Sequence, residues 1–325
     1  MSSDIRDSRI YVAGHRGLVG SALVRRLSAE GYTNIITRTR AELNLKRQDE
    51  VDVFFRAEQP EYVFLSAAHV GGIGANNTYR AEFIYDNLII AANVIEAAYR
   101  TGVRKLLNLG SSCIYPRLAP QPLKEETLLS GPLEPTNEPY AIAKIAAIKL
   151  CRSYHEQYGV NFISAMPTNL YGPGDNFDLE QSHVLPALIR RIHEAKESNV
   201  DAVTLWGDGS PRREFLHVDD LARALVFIMN NVDARDLDDA GLSDLFLNVG
   251  TGTDVTVKEL ASLIAQAVGY TGSFQWDRSK PNGTPRKLMD VSRLTGLGWK
   301  ATIGLAEGIA DTYSWFRTHA QQVRM

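Results

Sequence analysis

Residues 9–31, RIYVAGHRGLVGSALVRRLSAEG, decide the fold of this chain. The apolar run RIYVAG predicts a buried strand, and the apolar spacing of LVGSALVRRLSAEG predicts the helix that follows it. Gly14, Gly17 and Gly20 lie where the strand passes into the helix. Glycines there let the backbone turn tightly and let a pyrophosphate approach the peptide groups at the helix N-terminus. The stretch therefore predicts a dinucleotide-binding loop after a first parallel strand.

The rest of the first half repeats this alternation of short apolar runs and helical patterns. Strands are predicted at 34–39, 62–68, 105–112 and 161–167, and helices at 47–57, 81–102 and 139–158. Strands that alternate with helices form right-handed crossovers, which build a parallel sheet covered on both faces. We therefore predict an α/β fold, a Rossmann-type doubly wound parallel sheet with a smaller α/β C-terminal substrate lobe.

The pattern becomes irregular after the run PTNLYGPGDNFD begins at Pro167. The later elements are predicted as helices at 183–197, 215–231, 256–269 and 304–318 and a strand at 203–209. The helix at 215–231 is expected to return to the first domain. The dinucleotide-binding domain is accordingly predicted to take residues 1–168 and about 215–245, and the second, smaller lobe about 169–214 and 246–325.

Composition narrows the class of protein. The 325 residues are 44% hydrophobic and 22% charged, which is typical of an ordinary globular protein. The net charge of −3 gives no reason to expect nucleic acid binding, and no apolar run approaches the ~20 residues that span a bilayer. The N-terminal MSSDIRDSRIYVAGHRG has no secretory pattern, and two cysteines favour a reducing compartment. We expect a cytoplasmic enzyme that acts on a small molecule and binds no membrane.

The second predicted strand selects the cofactor. About 20 residues after the glycines, an NAD site would carry Asp or Glu for the ribose 2′-hydroxyl. This chain instead reads TRTR at 37–40 and places Arg16 inside the glycine loop. A guanidinium suits a 2′-phosphate through charge-assisted hydrogen bonds. We predict NADP(H), with Arg16 and Arg40 on the 2′-phosphate; the alternative is that Arg38 or Arg40 is merely solvated.

A catalytic pair is predicted on the helix at 139–158. Tyr140 and Lys144 are four residues apart, so they share one helix face, although a surface pair on an amphipathic helix would show the same spacing. A neighbouring ammonium and an oxidised nicotinamide both favour a phenolate, which would move the pKa of Tyr140 toward neutral and allow proton exchange with a carbonyl oxygen. Ser111 is predicted at the end of a parallel strand, at the ligand end of the sheet, and is expected to hydrogen-bond to the same oxygen.

The glycine loop, the serine and Tyr-x-x-x-Lys, in this order, resemble the extended short-chain dehydrogenase/reductase family. The runs VGGIGANNTY, LGSSCIYP, EPTNEPYAIAKIA, PTNLYGPGDNF and REFLHVDD are similar, within it, to the GDP-L-fucose synthase branch, over about residues 8–318. That resemblance implies 3,5-epimerisation of GDP-4-keto-6-deoxy-D-mannose followed by NADPH-dependent reduction of its C4 ketone in one active site. Two alternatives remain: an NAD-retaining nucleotide-sugar 4-epimerase, and a non-catalytic dinucleotide-binding sensor.

Epimerisation beside a ketone needs a base and an acid in addition to the reducing groups. A thiol and an imidazole both titrate close enough to neutrality to serve. Residues two apart project from the same side of an extended chain, so Ser111 and Cys113 are expected to face one pocket. The resemblance implies that Cys113 is the base and His183 the acid; the alternatives are packing for Cys113 and a helix cap or surface position for His183. Cys151 is predicted to be core.

The resemblance also implies the remaining site residues and partners. The predicted cofactor-binding residues are Gly14, His15, Arg16, Gly17, Leu18, Val19, Gly20, Arg40, Asn44, Leu45, Leu109, Gly110, Ser111, Ser112, Tyr140, Lys144, Pro167, Thr168, Asn169, Leu170 and His183. The predicted substrate-binding residues are Arg191, Trp206, Arg213 and Lys287, for which the alternatives are solvation or, for the tryptophan, a core position. A GDP-sugar substrate, no metal ion, and a homodimer joined by a four-helix bundle of the helices around 81–100 and 140–158 complete the expectation.

Overall fold

The computed structural model describes residues 5–179, 182–280 and 282–319, and a six-stranded parallel sheet lies at its centre. The strands, in their order across the sheet, are β2 Ile35–Ile36, β1 Ile10–Ala13, β3 Tyr62–Leu65, β4 Lys105–Leu109, β5 Phe162–Pro167 and β10 Phe246–Val249. Every neighbouring pair is parallel. The order changes direction between β1 and β3, which makes this the doubly wound sheet that the sequence predicted.

Helices cover both faces of this sheet. The helices are α1 Leu18–Ala29, α2 Gln48–Glu58, α3 Ile73–Thr78, α4 Arg80–Arg100, α5 Glu138–Tyr158, α6 Val184–Glu197, α7 Val218–Asn231, α8 Ala234–Asp239, α9 Val257–Val268, α10 Ser292–Gly296 and α11 Leu305–His319. Apolar side chains of α1 and α7 form one core with the sheet, and those of α2, α4 and α5 form another. Burial on both faces explains why the strands read as continuous apolar runs.

The second lobe is built on short strands. These are β6 Asn169–Tyr171 beside β9 Phe215–His217, β7 Ala202–Trp206 beside β12 Ser273–Asp277, and β8 Arg212–Arg213 between β11 Val255–Thr256 and β13 Arg286–Lys287. Residues of α6, α9 and α11 pack against them in a separate hydrophobic core. Small sheets of two or three strands therefore carry three of the four residues that the sequence assigned to the substrate, Trp206, Arg213 and Lys287, whereas Arg191 lies on α6.

Several predicted elements are shorter or divided in the structure; the strands predicted at 62–68 and 203–209, for example, end at Leu65 and Trp206. The strand predicted at 34–39 is reduced to Ile35–Ile36. The run 215–231 is a strand followed by a helix, because the chain stays extended through His217, whose ring nitrogen accepts the Asp219 N–H and caps α7. The helix that follows does pack against the first sheet, as expected.

The strand predicted at 105–112 ends at Leu109. Ser112–Ile114 forms a 3-10 turn, and the Ser111 hydroxyl oxygen accepts the Cys113 N–H at 3.4 Å. A serine hydroxyl that binds the backbone two residues on offers the chain an alternative to the strand. The alternation argument for a shared face was therefore wrong, although the turn still brings both side chains to one place.

The last strand of the sheet also differs from the predicted domain division. Phe246–Val249, which the sequence assigned to the second lobe, pairs in parallel with β5 and forms the edge of the large sheet. The chain therefore leaves the sheet only after Val249. Within the described residues, no helix has the length and apolar character that crossing a bilayer requires.

Candidate active site

The glycine loop forms a cradle that side chains would fill. Gly14 has φ +85°, and a Cβ on it would lie 2.8 Å from the backbone of Ala67, while a Cβ on Gly20 would lie 2.2 Å from the Gly14 carbonyl oxygen. Gly17 precedes α1 without a side-chain cap, so the first N–H groups of the helix stay available to a ligand. The buried His15 Nδ1 has no hydrogen-bond partner among the described residues. These features fit a dinucleotide pyrophosphate.

The arginines near the end of β2 fall into two groups. Arg38 forms an ion pair with Glu58 and lies 5.5 Å from the centroid of the Phe54 ring. Arg40 is exposed, and within the described part of the chain its guanidinium has no hydrogen bond or ion pair. Arg16 is exposed in the glycine loop. The arrangement thus leaves the two predicted 2′-phosphate residues, rather than Arg38, open to an anion.

The other predicted cofactor residues follow the carboxyl ends of β2, β4 and β5. The Asn44 N–H donates to Glu50 at 2.9 Å, and the Leu45 carbonyl accepts from Asn93 at 2.9 Å. Leu109, Gly110, Ser111 and Ser112 follow or end β4, and Pro167, Thr168, Asn169 and Leu170 end β5 and build β6. The sheet therefore gathers these segments at one edge, where ligands of open α/β sheets bind.

Tyr140, Lys144 and Ser111 meet at this edge. Lys144 Nζ donates to the Leu109 carbonyl oxygen at 2.7 Å and lies 5.7 Å from the centroid of the Tyr140 ring. Burial lowers the pKa of Lys144 to about 8. Burial raises the pKa of Tyr140, and the nearby Ser111 hydroxyl opposes that rise only in part. The protein groups alone therefore favour the protonated phenol, and the lowering of the tyrosine pKa beside an oxidised nicotinamide stays a prediction.

Cys113 lies with this group, and both Cys113 and His183 are close enough to Lys287 for its charge to affect their pKa values. Burial raises the pKa of the Cys113 thiol, while the Ser111 hydroxyl and the charges of Lys287 and Lys144 oppose the rise. His183 occupies the N-cap position of α6 without a side-chain cap bond, and part of its surface is exposed to water. The surrounding protein nevertheless desolvates the imidazole and lowers its pKa, and the charge of Lys287 lowers that pKa further. The resting pair is therefore a protonated thiol and a neutral imidazole, the reverse of a thiolate base with an imidazolium acid.

Cys151 provides a reference for Cys113. Both cysteines are free and buried. Burial raises the pKa of Cys151 to about 12, opposed only by hydrogen bonds from Ser164 and the backbone. Cys151 packs within the core of α2, α4 and α5, as the sequence predicted. Neighbouring cations therefore distinguish Cys113 from a packing cysteine.

Two cations extend the group into the second lobe. Lys287 pairs with Arg213 across β13 and β8. Burial lowers the pKa of Lys287, and the charge of Arg213 lowers it further, while Cys113 acts in the opposite direction. Burial also lowers the pKa of Arg213. Half-buried cations so close together favour an anionic ligand.

Arg191 and Trp206 form a second group at the edge of β7. Arg191 Nη1 donates to the Thr204 carbonyl oxygen at 3.3 Å. Trp206 is 64% exposed, and Lys280 Nζ lies 5.7 Å from the centroid of its ring. Trp206 is therefore not a core residue, and the part of its indole that Lys280 does not cover is accessible to a planar ligand.

The sequence did not predict that the side chains of two acids, Asp175 and Glu214, would be removed from water. Burial raises the pKa of Asp175 to about 7, and its Oδ2 has no hydrogen-bond partner among the described residues. Glu214 is fully buried between β8 and β9. Asp175 lies in a Gly- and Pro-rich run, a composition that predicts an exposed loop. Glu214 lies between an arginine and a phenylalanine, and this local sequence does not indicate that the glutamate is buried.

The fold and the residues at this edge of the sheet are those of a nucleotide-sugar epimerase, dehydratase or reductase. The chain belongs to the NAD dependent epimerase/dehydratase family, whose model matches residues 10–240. Among curated relatives, it is 59% identical to a probable GDP-L-fucose synthase 1 of Oryza sativa subsp. japonica, over 96% of this chain and 92% of the relative. It is 55% identical to GDP-L-fucose synthase of Escherichia coli strain K12, over 97% and 98%.

The structural comparison agrees. A GDP-L-fucose synthetase from Naegleria fowleri, solved with NADP bound, superposes with a TM-score of 0.88 at 28% identity. The superposition covers 98% of this chain and 97% of that one. Similarity in sequence and in structure therefore extends through both lobes.

Proposed function

We propose that this chain is an NADPH-dependent epimerase/reductase that converts GDP-4-keto-6-deoxy-D-mannose into GDP-L-fucose. The observation that carries the proposal is a buried thiol beside the reductase residues, together with an imidazole that feels the charge of the same lysine, Lys287. A simple reductase needs Ser111, Tyr140 and Lys144, whereas Cys113 and His183 add a second proton-transfer pair. High identity to GDP-L-fucose synthases supports the same activity.

Epimerisation at C3 and C5 takes a proton from a carbon beside the C4 ketone and returns another to the opposite face. One member of the pair accepts the carbon-bound proton and the other donates, and in each case the C4 oxygen carries the charge of the enediolate. Ser111 and the protonated Tyr140 donate hydrogen bonds to that oxygen, which stabilises the charge. We propose Cys113 as the base and His183 as the acid, roles for which the thiol must first lose a proton and the imidazole gain one.

Reduction uses the same oxygen. NADPH, held by the glycine loop with Arg16 and Arg40, supplies a hydride to C4 when it is bound. Tyr140 donates the proton that the C4 oxygen then needs, because burial keeps the phenol protonated. Lys144, fixed to the Leu109 carbonyl, supports the cofactor side of the site. Arg213 and Lys287 bind the diphosphate of the sugar nucleotide, and Arg191 and Trp206 bind its outer part.

The test is the loss of NADPH absorbance with purified protein and GDP-4-keto-6-deoxy-D-mannose, combined with analysis of the product. Wild type should consume NADPH and yield GDP-L-fucose. Cys113→Ser should lose epimerisation, which is measured as the incorporation of solvent deuterium at C3 and C5. Cys151→Ser is the matched control, because its thiol is equally buried but has no cations around it, and it should retain both activities.

The alternative functions give different results in this assay. A 4-epimerase that retains its cofactor would interconvert sugars with no net consumption of NADPH. A dinucleotide-binding sensor would bind NADPH and turn over nothing. Activity of Cys113→Ser equal to that of wild type would return this cysteine to a packing role while leaving the reductase intact.

We further propose that the protein is a cytoplasmic homodimer. Helices α4 and α5 pack side by side and leave large apolar side chains on their outer surface, with Tyr85 61%, Ile142 41% and Tyr158 47% exposed. A four-helix bundle with a second copy would cover these residues. Sedimentation should give twice the chain mass, and Tyr85→Asp with Ile142→Asp should give a monomer.

A further inference from the structure

Glu214 is a buried acid whose carboxylate binds backbone N–H groups. It lies between β8 and β9 and is 0% exposed. In residues 5–179, 182–280 and 282–319, no ion pair involves its carboxylate. Burying an unpaired carboxylate is unfavourable unless hydrogen bonds compensate for the lost water. The oxygen atoms of Glu214 therefore need hydrogen-bond donors from the surrounding protein.

The carboxylate joins two segments that are distant in sequence. Oε1 accepts the N–H groups of Thr251 at 2.6 Å and Gly252 at 2.7 Å, just after β10 ends. Oε2 accepts the N–H of Met289 at 2.8 Å, two residues beyond Lys287. One side chain thereby ties the end of the large sheet to the strand that carries a predicted substrate cation.

The backbone of the same residue makes the complementary connections. The Glu214 N–H donates to the Lys287 carbonyl at 3.3 Å, and the Glu214 carbonyl accepts from Thr168 Oγ1 at 3.3 Å and Asn169 Nδ2 at 2.8 Å. A Cβ on Gly250 would lie 2.3 Å from Oε1, so a glycine makes the space for the carboxylate. Glu214 therefore connects the cofactor side of the site with the substrate side.

We propose that Glu214 is a positioning residue for the diphosphate of the sugar nucleotide. It holds the backbones of β8 and β13 so that Arg213 and Lys287 stay side by side at the edge of the large sheet. A carboxylate suits this place because both of its oxygens are acceptors, and N–H groups approach from both sides. The inference rests on the proposed function, since it takes Arg213 and Lys287 to bind that diphosphate.

The decisive variant is Glu214→Gln. An amide keeps the shape but replaces one acceptor oxygen with an N–H₂ group, so at least one N–H then faces another donor. Turning the amide nitrogen toward Met289 loses one bond, whereas turning it toward Thr251 and Gly252 loses two. The strand that carries Lys287 is thus the one released.

The expected effect is on substrate binding alone. By calorimetry, the dissociation constant for GDP should rise about tenfold, as for loss of a hydrogen bond to a charged group, while that for NADPH stays within about twofold. KM for the sugar nucleotide should rise in parallel, with kcat within about twofold of wild type. Asp220→Asn is the control for loss of a buried acceptor elsewhere: that buried acid accepts the N–H groups of Thr302 at 2.7 Å and Ile303 at 2.8 Å and also pairs with Arg223 at 2.8 Å, and its substitution should change neither dissociation constant.

A double-mutant cycle with Lys287→Met separates positioning from general stability. If Glu214 acts through Lys287, Glu214→Gln should add little to the GDP-binding defect of Lys287→Met. Equal weakening of NADPH and GDP, additive effects in the cycle, or a wild type that binds no GDP would each overturn the proposal. The calorimetry needs no turnover, so a wild type that binds GDP but makes no GDP-L-fucose would refute the proposed function alone.

Discussion

The end of β4 and the edge of β7 both carry predicted site residues, but water reaches them very differently. Around Cys113, Tyr140 and Lys144, burial raises the pKa values of thiol and phenol and lowers that of the ammonium. At β7, Trp206 is 64% exposed, and Arg191 is held by one hydrogen bond to a carbonyl. The first region is desolvated and fixed by its neighbours, whereas the second is open.

This difference predicts how each region contributes to function. Charges and hydrogen bonds interact strongly where water is excluded and weakly where it is not. Single residues at the end of β4 should therefore control the chemical step by large factors. Residues at β7 should each contribute a small factor to substrate affinity. Reversal of this order in the following variants would contradict the comparison.

Tyr140→Phe should have the largest effect. It removes the proton donor for the C4 oxygen while keeping the ring, which lies edge-on to Phe83 at 6.2 Å between centroids. We expect kcat for reduction to fall roughly 10²–10⁴-fold, the usual worth of a positioned acid. Binding of NADPH, followed by fluorescence, should weaken far less than kcat falls, because only the hydroxyl of this predicted cofactor-binding residue is removed. A fall of less than tenfold would mean that another group supplies the proton.

Arg40→Ala should have the next largest effect, on cofactor choice. Loss of a charge-assisted bond to the 2′-phosphate should raise KM for NADPH about 10- to 100-fold and leave KM for NADH nearly unchanged. Arg38→Ala is the control, because Arg38 is already paired with Glu58 and packs over Phe54. A larger loss of NADPH preference in the control would reassign the 2′-phosphate to Arg38.

The sequence predicted the strands of the large sheet best where every residue of the strand is buried. The strands Tyr62–Leu65 and Phe162–Pro167 lie within their predicted runs, because a parallel strand covered on both faces must be apolar throughout. It failed at the turn that holds Cys113, since a single side-chain bond from Ser111 to the backbone ends the strand. Such local competition leaves no periodic pattern to read.

The candidate site likewise contains residues that the sequence predicted and one that it did not. Spacing on one helix was enough to place Tyr140 and Lys144 together, because helix geometry is regular. Glu214 escaped because its partners, Thr251 and Met289, are distant in sequence and contribute only backbone N–H groups. Backbone donors carry no residue identity, so one sequence cannot reveal which segments a buried acid joins.

The pH dependence of kcat/KM tests the protonation states of the proton-transfer pair, Cys113 and His183. The active form of Cys113 and His183 carries one proton between them, whichever residue is the base. Activity should fall about tenfold per pH unit below the lowered pKa of His183 and again above the raised pKa of Cys113. The plateau should therefore be wider than for an unperturbed thiol and imidazole. A narrow optimum near neutrality would mean that the cations around Cys113 outweigh its burial.

Trp206→Ala should have the smallest effect, because the side chain is mostly in water before the substrate binds. Covering one face of a ring gives an aromatic contact worth about two- to tenfold in affinity. Trp206→Phe should recover most of this contact, since it needs an aromatic face rather than the indole N–H. We therefore expect a KM for the sugar nucleotide a few times that of wild type, with kcat unchanged, in steady-state assays. A fall in kcat comparable to that of Tyr140→Phe would show that the open edge of β7 closes onto the reacting ring, and that exposure in the free protein does not separate binding from chemistry.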